Sequence, residues 1–371
     1  MNILITGSQG FIGKNIKFFL KEKKNIKIFE HTKKNSIKSL KEKLIKTDLI
    51  LHLAGENRSS KVEDYKKNNI FITSLICEFL YKNNIKIPII FSSTTQFQNN
   101  NLYGRSKKKC EEILINFKKK NNSIINILRL PNIYGKWSKP NYNSAVATFC
   151  YNLSRNIKLR IDNSKSNLNL LYIDDLMNQI SKMIQSPSKK IFPIIKNVKK
   201  TNLGELVKNL NLIKDKRCSI DPSYLKNKFL KNLYSTYVSF VPLKKFQYSI
   251  IKKQDKRGEF VEFGKFKNYG QVSYFTINPK EERGHHYHHS KVEKFLVVMG
   301  RVKCFFKNLN NSKNYVFDAS DKTLSVFESI PGWSHVIKNN SNKKVVILVW
   351  SNEVFKKEKP DTYKYRINVK N

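Results

Sequence analysis

Short apolar runs and longer amphipathic stretches alternate through the first part of the chain. The runs Asn2–Thr6, Ile26–Phe29, Leu49–Leu53, Pro88–Ser92 and Ile124–Leu130 predict strands. Between them, segments such as Phe11–Lys23 and Ser106–Lys119 space their apolar residues at helical period. This alternation predicts βαβ units assembled on a doubly wound parallel sheet. From about Asn141 to Tyr234 the pattern is mixed and lysine-rich, with helices expected near Val146–Asn156 and Ile173–Gln185. Past Val241 the period changes. Phe260–Phe263, Val272–Ile277, Phe295–Val298, Val302–Phe306, Thr323–Phe327 and Val345–Trp350 predict short strands between Gly, Asn and charged turns, as in an all-β sandwich or barrel. The change falls near Phe240–Gln247, which sets the expected domains at 1–243 (α/β) and 244–371 (all-β).

Composition narrows the class. The 371 residues include 24 Phe and 17 Tyr within a 40% apolar share, too rich in large apolar groups for a disordered chain. The longest apolar runs, such as Val345–Trp350, are too short to span a bilayer. Met1 leads directly into the first strand, so a signal peptide is not expected. Cys77, Cys110, Cys150, Cys218 and Cys304 are odd in number and scattered, which suits a reducing cytoplasm and excludes a disulfide scaffold. The formal charge is +43, from 71 Lys+Arg against 28 Asp+Glu. Nucleic-acid binders carry such an excess, but here tracts like Lys118–Asn122 recur everywhere without interleaved aromatics. The lysines therefore read as solvated surface, with no nucleic-acid partner expected; they would still attract anionic small molecules.

The first strand runs into Gly7-Ser8-Gln9-Gly10-Phe11-Ile12-Gly13 and then a helix. Glycines at this spacing permit a tight turn, close approach of backbone to pyrophosphate, and helix–strand packing. A Rossmann-type dinucleotide site follows. The second strand ends in Glu30-His31-Thr32-Lys33-Lys34. Glu30 would suit the ribose of NAD, whereas His31, Lys33 and Lys34 suit the 2′-phosphate of NADP(H), which is the favoured cofactor. Ser92-Ser93-Thr94 precedes Tyr103-Gly104-Arg105-Ser106-Lys107, where Tyr103 and Lys107 share one helix face. Lys107 would favour the Tyr103 phenolate, Tyr103 would exchange a proton with a carbonyl or alcohol, and Thr94 or Ser93 would hold that oxygen.

A second constellation is Gly284-His285-His286-Tyr287-His288-His289-Ser290-Lys291-Val292-Glu293, with His335 in Ile330-Pro331-Gly332-Trp333-Ser334-His335. On a strand His286 and His288 face one way. With Glu293 and His335 they would form a three-nitrogen, one-oxygen site suited to Zn, Fe, Ni or Mn, zinc being the first choice. A base for proton abstraction must be another group. His289 is the nearest spare candidate, ahead of His285 and Tyr287.

These motifs resemble known families. His52-Leu53-Ala54-Gly55, Arg129-Leu130-Pro131-Asn132-Ile133-Tyr134-Gly135 and Tyr172-Ile173-Asp174-Asp175-Leu176 resemble the extended short-chain dehydrogenase/reductases over about residues 1–240. That resemblance implies that Leu53 and Ala54 line the cofactor and that Asn132 meets the substrate diphosphate. The Arg that many members place before the last segment is replaced here by Asn167-Leu168-Asn169. HxHxxxxE…G and PGxxHxxxN, ending at Asn339, resemble the two cupin motifs of a jelly-roll barrel, with Ile330 in place of the usual opening proline. Asp255-Lys256-Arg257-Gly258-Glu259-Phe260-Val261-Glu262 resembles the opening of deoxysugar-epimerase-like cupins, with Arg257 the implied substrate contact.

The combination resembles the CapF-type bifunctional enzymes of capsular and O-antigen polysaccharide synthesis. Lys136-Trp137-Ser138-Lys139-Pro140-Asn141-Tyr142-Asn143-Ser144, Tyr234-Ser235-Thr236-Tyr237 and Lys359-Pro360-Asp361-Thr362-Tyr363 are distinctive parts of the likeness. It implies C3 epimerisation of a UDP-2-acetamido-2,6-dideoxy-hexos-4-ulose, followed by NADPH-dependent reduction at C4. A homodimer is expected. Two other classes stay open: a single-function UDP-sugar 4-epimerase or dehydratase with a structural cupin, and an RNA-binding protein on a reductase scaffold.

Overall fold

Strands buried on both faces need helices on each side, and the N-terminal strands meet that condition. Ile3, Leu4, Ile5, Leu49, Ile50, Leu51, Ile89, Ile90 and Phe91 are completely buried. In the computed structural model, β1 (Asn2–Thr6), β2 (Lys27–His31), β3 (Leu49–His52), β4 (Ile89–Thr94) and β5 (Ile125–Leu130) form a parallel sheet in the order β2-β1-β3-β4-β5. The structure describes residues 1–59, 61–98, 101–219, 222–249, 253–255, 258–260, 270–353 and 358–368. Helices α1 (Phe11–Lys21), α2 (Ile37–Ile45), α3 (Val62–Tyr65), α4 (Ile72–Lys82) and α5 (Leu102–Asn121) connect the strands. A π-helical turn, Lys66–Phe71, joins α3 to α4. Leu40, Leu44, Ile76, Leu80, Cys110 and Leu114 pack on Leu4, Ile50 and Phe91. Connections leave β1 in opposite directions toward β2 and β3, so a crevice opens at the carboxyl ends of β1 and β3, where such sheets bind ligands.

Beyond β5 lies a three-stranded sheet of β6 (Asn132–Tyr134), β7 (Asn167–Tyr172) and β8 (Lys199–Asn202), with α6 (Ala145–Ser154) between the first two strands and α7 (Ile173–Gln185) between the last two. Helices α8 (Leu203–Lys216) and α9 (Lys228–Val238) follow. The chain divides into two compact units, Met1–Ser144 with Asn167–Thr201, and Ala145–Ser166 with Asn202–Asn371. None of the described helices is long and apolar enough to cross a membrane.

The second unit holds β9 (Tyr248–Ser249), the hairpin of β10 (Lys253–Asp255) and β11 (Gly258–Phe260), then β12 (Gln271–Ile277), β13 (Glu282–Tyr287), β14 (Glu293–Met299), β15 (Arg301–Asn308), β16 (Asn314–Ser320), β17 (Ser325–Glu328), β18 (Trp333–Lys338), β19 (Val345–Ser351) and β20 (Tyr363–Lys364). Two five-stranded antiparallel sheets result, β12-β19-β14-β17-β9 and β16-β15-β18-β13-β20. Phe295 and Phe327 of one sheet meet Phe306 and Phe317 of the other, with Phe317 and Phe327 ring centroids 5.3 Å apart. The fold class expected from the sequence, a parallel Rossmann-type sheet followed by antiparallel all-β sheets, is the one observed.

Several strands, β13, β16 and β18 among them, and the helices α8 and α9 escape the apolar-run reading. β13 spells Glu-Arg-Gly-His-His-Tyr and β18 Trp-Ser-His-Val-Ile-Lys, and both are extended because they pair with each other and with flanking strands. β16 buries little but Ala319. α8 and α9 were hidden in the lysine-rich stretch. The strand expected at Phe260–Phe263 reaches Phe260 in β11; the rest lies outside the described residues.

Charged side chains bind α9 and the end of α8 to the β-sheets of the same unit. Glu328, 1% exposed, pairs with Arg217 and accepts from Tyr234 Oη at 2.8 Å. Lys294 Nζ stands 3.8 Å from Glu328 and donates to Tyr248 Oη at 2.8 Å. Burial pushes the Lys294 ammonium below its ordinary value despite Glu328.

Candidate active sites

The glycine turn after β1 leads into α1. Gly7 has φ +69°, and a Cβ there would lie 2.7 Å from the Ala54 nitrogen. A Cβ on Gly13 would stand 2.3 Å from the Gly7 carbonyl oxygen, so the helix can pack this closely only without one. Gly10 caps the helix and its N–H donates to Gly7 O at 2.9 Å. These glycines, with Phe11, Ile12 and Leu53, line one side of a cleft of about 490 Å³. Ser93, Thr94, Tyr103, Lys107 and Asn132 line it too, so one crevice gathers the glycine turn and the expected chemical groups. Trp137, Ser138, Lys139, Tyr142 and Asn143 complete the wall. Their segment, distinctive in sequence, carries no motif that assigns it to the cleft.

Within the cleft Tyr103 is half-buried, and desolvation pushes its phenol up to about 12, against a hydrogen bond with Thr94. Lys107 is 3% exposed, donates to the Ser92 carbonyl at 2.8 Å and lies 4.5 Å from the Phe91 ring centroid. Burial pushes its ammonium down to about 8. Burial, the largest influence on Tyr103, works against the phenolate that Lys107 is expected to favour. The Ser93 hydroxyl donates to Glu111, which also takes a two-pronged contact from Arg129. Its proton is thus committed, and Thr94 is the hydroxyl beside the phenol.

At the end of β2, Glu30 pairs with Lys17 at 3.2 Å. His31 is buried, and burial followed by Lys43 pushes it below its ordinary value, leaving a neutral ring. Lys33, largely exposed, reaches Glu56 at 2.7 Å, and Lys34 is exposed. Ala54 N donates to Thr6 Oγ1 at 3.2 Å, fixing the β3 end beside the glycine turn.

In the second unit His286, His288, Glu293 and His335 converge, their ligand atoms all within 4.8 Å of one another. His288 lies one residue past β13, and a register shift between Gly284 and His286 turns the strand as it approaches. Each histidine is oriented. His286 Nδ1 donates to Gly284 O at 3.0 Å and His288 Nδ1 to Asp361 O at 2.6 Å, so both Nε2 atoms are left as acceptors or ligands. His335 packs between Phe295 and Phe306, and its buried Nδ1 is without a hydrogen-bond partner among the described residues. Burial followed by His288 pushes His286 down to about 4, and burial pushes His335 well below its ordinary value. Burial alone would raise Glu293, but His288, His335 and Lys291 hold its carboxyl well below the usual range. Three imidazoles around a carboxylate are a donor set that a divalent transition metal takes. His289 packs instead with Tyr363 at 4.8 Å and Tyr287 at 5.6 Å between ring centroids. Arg257 lies outside the described residues. Asp361, absent from the expected site, meets His288 Nδ1 through its backbone carbonyl.

Comparison with known proteins agrees with both halves. Residues 3–198 match the NAD dependent epimerase/dehydratase family, and residues 253–363 match the polysaccharide biosynthesis C-terminal domain. A UDP-2-acetamido-2,6-beta-L-arabino-hexul-4-ose reductase of Pseudomonas aeruginosa is 38% identical over 98% of each chain. The crystal structure of capsular polysaccharide assembling protein CapF from Staphylococcus aureus is 36% identical, covers 99% of this chain and 100% of its own, and superposes with a TM-score of 0.67. A UDP-glucuronic acid 4-epimerase from Bacillus cereus, 18% identical over 65% of this chain and 98% of its own, shares the fold with a TM-score of 0.57. With its nucleotide cleft at the sheet switch point and a polysaccharide biosynthesis domain following it, the chain belongs to the NAD dependent epimerase/dehydratase family and is of the two-domain CapF type.

Proposed function

We propose that the chain converts a UDP-2-acetamido-2,6-dideoxy-hexos-4-ulose in two steps. The β-domain epimerises C3, and the Rossmann-type domain then reduces the C4 ketone with NADPH. The product is UDP-N-acetyl-L-talosamine, on the way to UDP-N-acetyl-L-fucosamine and a surface polysaccharide. The observation that carries this reading is the single cleft holding the glycine turn, Thr94, Tyr103 and Lys107, in a chain akin over its whole length to a UDP-4-ketosugar reductase. The functional boundary is put at 243/244, and the protein is taken to act as a homodimer.

Reduction of a ketone needs a protonated acid beside the oxygen. Desolvation of Tyr103 favours its protonated form, and Thr94 beside it would hold the same substrate oxygen. Lys107, held under the cleft by Ser92, brings positive charge near the alkoxide that forms. Bound on Gly7, Gly10 and Gly13, with Lys33 and Lys34 toward its 2′-phosphate, the nicotinamide cofactor supplies hydride. Asn132, exposed at the cleft rim, is positioned for the substrate diphosphate.

In the β-domain, His286, His288, Glu293 and His335 would hold a divalent ion, zinc being the first choice. Such an ion supplies Lewis-acid stabilisation of charge on the C4 oxygen when C3 loses its proton. The base is a group other than these four, whose lone pairs are committed. The order of steps follows from chemistry: the 4-keto group acidifies the C3 proton, and its reduction locks the new configuration.

The test is incubation with the 4-ketosugar in D₂O, with and without NADPH, read by NMR. Deuterium should enter at C3 without NADPH, and NADPH should be consumed in step with the C4 alcohol. Bound nicotinamide that turns over with no net oxidation would instead support a 4-epimerase.

A further inference from the structure

The segment Lys359–Tyr363 has no part in the proposed chemistry, yet it is fastened to the metal-ligand cluster at several points. It leads into β20, which joins the edge of β13 by pairing Tyr363 with Tyr287 and Lys364 with His286. Just before that strand, the Asp361 carboxylate accepts three successive backbone N–H groups. These are His289 at 2.9 Å, Ser290 at 2.9 Å and Lys291 at 2.7 Å, with the Ser290 hydroxyl at 3.1 Å. The three amides form the turn between His288 and Glu293. A carboxylate gripping a row of amides makes charge-assisted bonds, stronger than neutral ones.

The backbone carbonyl of Asp361 also accepts from His288 Nδ1 at 2.6 Å. A carbonyl cannot donate, so Nδ1 carries a proton, and Nε2 is the ring atom turned into the cluster, 3.0 Å from the Glu293 carboxylate. His288 is 0% exposed, which leaves water no room to substitute for that contact. Lys291 secures the segment by donating to Thr362 Oγ1 at 2.7 Å and toward Pro360 O at 3.4 Å.

We propose that Asp361 is a positioning residue for the metal centre. Its carboxylate sets the turn that brings His288 and Glu293 together, and its carbonyl selects the His288 tautomer that can bind an ion. The inference rests on the reading of the four-residue cluster as a metal site.

The test uses the full-length protein, stripped with a chelator and titrated with Zn²⁺ against a chromophoric competitor. Asp361→Ala should bind zinc about 10–100-fold more weakly, the usual cost of losing a group that orients a ligand. Asp361→Asn keeps one acceptor oxygen and should fall between it and the wild type. His288→Ala, which removes a ligand, should be weaker than either. Nitrogen NMR of the metal-free protein at about pH 8, where a free imidazole is neutral, should show His288 protonated on Nδ1 and a tautomer mixture in Asp361→Ala. A segment that merely fastened the C-terminal strand would lower the melting temperature while leaving tautomer and affinity unchanged, and that result overturns the proposal. If Asp361→Ala does not fold, Asp361→Asn decides by the same two readouts. If wild type and His288→Ala take up zinc equally, the metal reading fails and the proposal falls with it; wild-type-like affinity in a folded Asp361→Ala overturns the proposal alone.

Discussion

Lys107 and Glu293 are both buried ionisable groups at candidate sites, and burial has opposite outcomes for them. Lys107 faces a neutral carbonyl and an aromatic ring, so desolvation prevails and its ammonium falls to about 8. Tyr103, in the same cleft, is pushed up to about 12. Glu293, its side chain 15% exposed, faces His288, His335 and Lys291, which hold its carboxyl below the usual range. Desolvation acts everywhere; the neighbouring charge decides the protonation state.

Four experiments press on this contrast. The largest effect is expected from Tyr103→Phe, which should lower NADPH-dependent reduction about 10²–10⁴-fold, the usual contribution of a general acid. Deuterium exchange at C3 should persist; undiminished reduction would remove Tyr103 from the mechanism.

Glu328→Ala turns a paired arrangement into an unpaired one by stranding Arg217 and Lys294 in the interior. Breaking a buried pair from one side costs about 3–5 kcal/mol, to be read as a lowered urea midpoint of the second unit's unfolding. A shift within that of a surface substitution would show that the two cations find other partners.

His52 tests desolvation alone. It lies between Thr6 Oγ1 at 2.7 Å and Thr73 Oγ1 at 2.9 Å, and burial, then Lys107 and His31, lowers it from 6.5 to about 3. Between those values the unfolded chain binds the extra proton, so stability falls as pH drops through this window. The slope for one proton is about 1.4 kcal/mol per pH unit at most. Replacing His52 with Gln should flatten the acid side of the stability profile, measured by urea unfolding across the window.

The smallest effect belongs to the solvated rim. Replacing Lys33 and Lys34 with Ala should weaken NADPH a few-fold more than NADH, because Lys33 is exposed and already paired with Glu56. Equal losses would make the lysines bystanders and return Glu30 to the ribose.

The Rossmann-type site is legible because its parts come in chain order and each is local. A glycine turn after a strand, a hydroxyl strand and a Tyr–Lys helix pair announce themselves by spacing. The clustered donors are legible for the same reason, His286, His288 and Glu293 being near neighbours. What spacing could not reveal is orientation. Ser93 and Thr94 are adjacent and chemically alike, yet Ser93 is committed to Glu111 while Thr94 meets Tyr103. His289, next to a ligand, packs with Tyr363. β13 and β18 have polar sequences and are strands only because neighbours on each side complete their hydrogen bonds.

Taken alone, the sequence determined the alternation that makes the parallel sheet, the glycines that α1 and β3 require, and the identity of the four clustered donors. These depend on residue type and short spacing, which covalent geometry converts directly into structure. The tertiary structure alone decided which protons are held and where. Lys107 lost more stabilising water than the nearby Glu111 offsets, and Glu293 gained His288, His335 and Lys291 as neighbours. His288 received its tautomer from Asp361, 73 residues along the chain. Desolvation and long-range pairing have no local signature, because both depend on what the rest of the chain brings alongside.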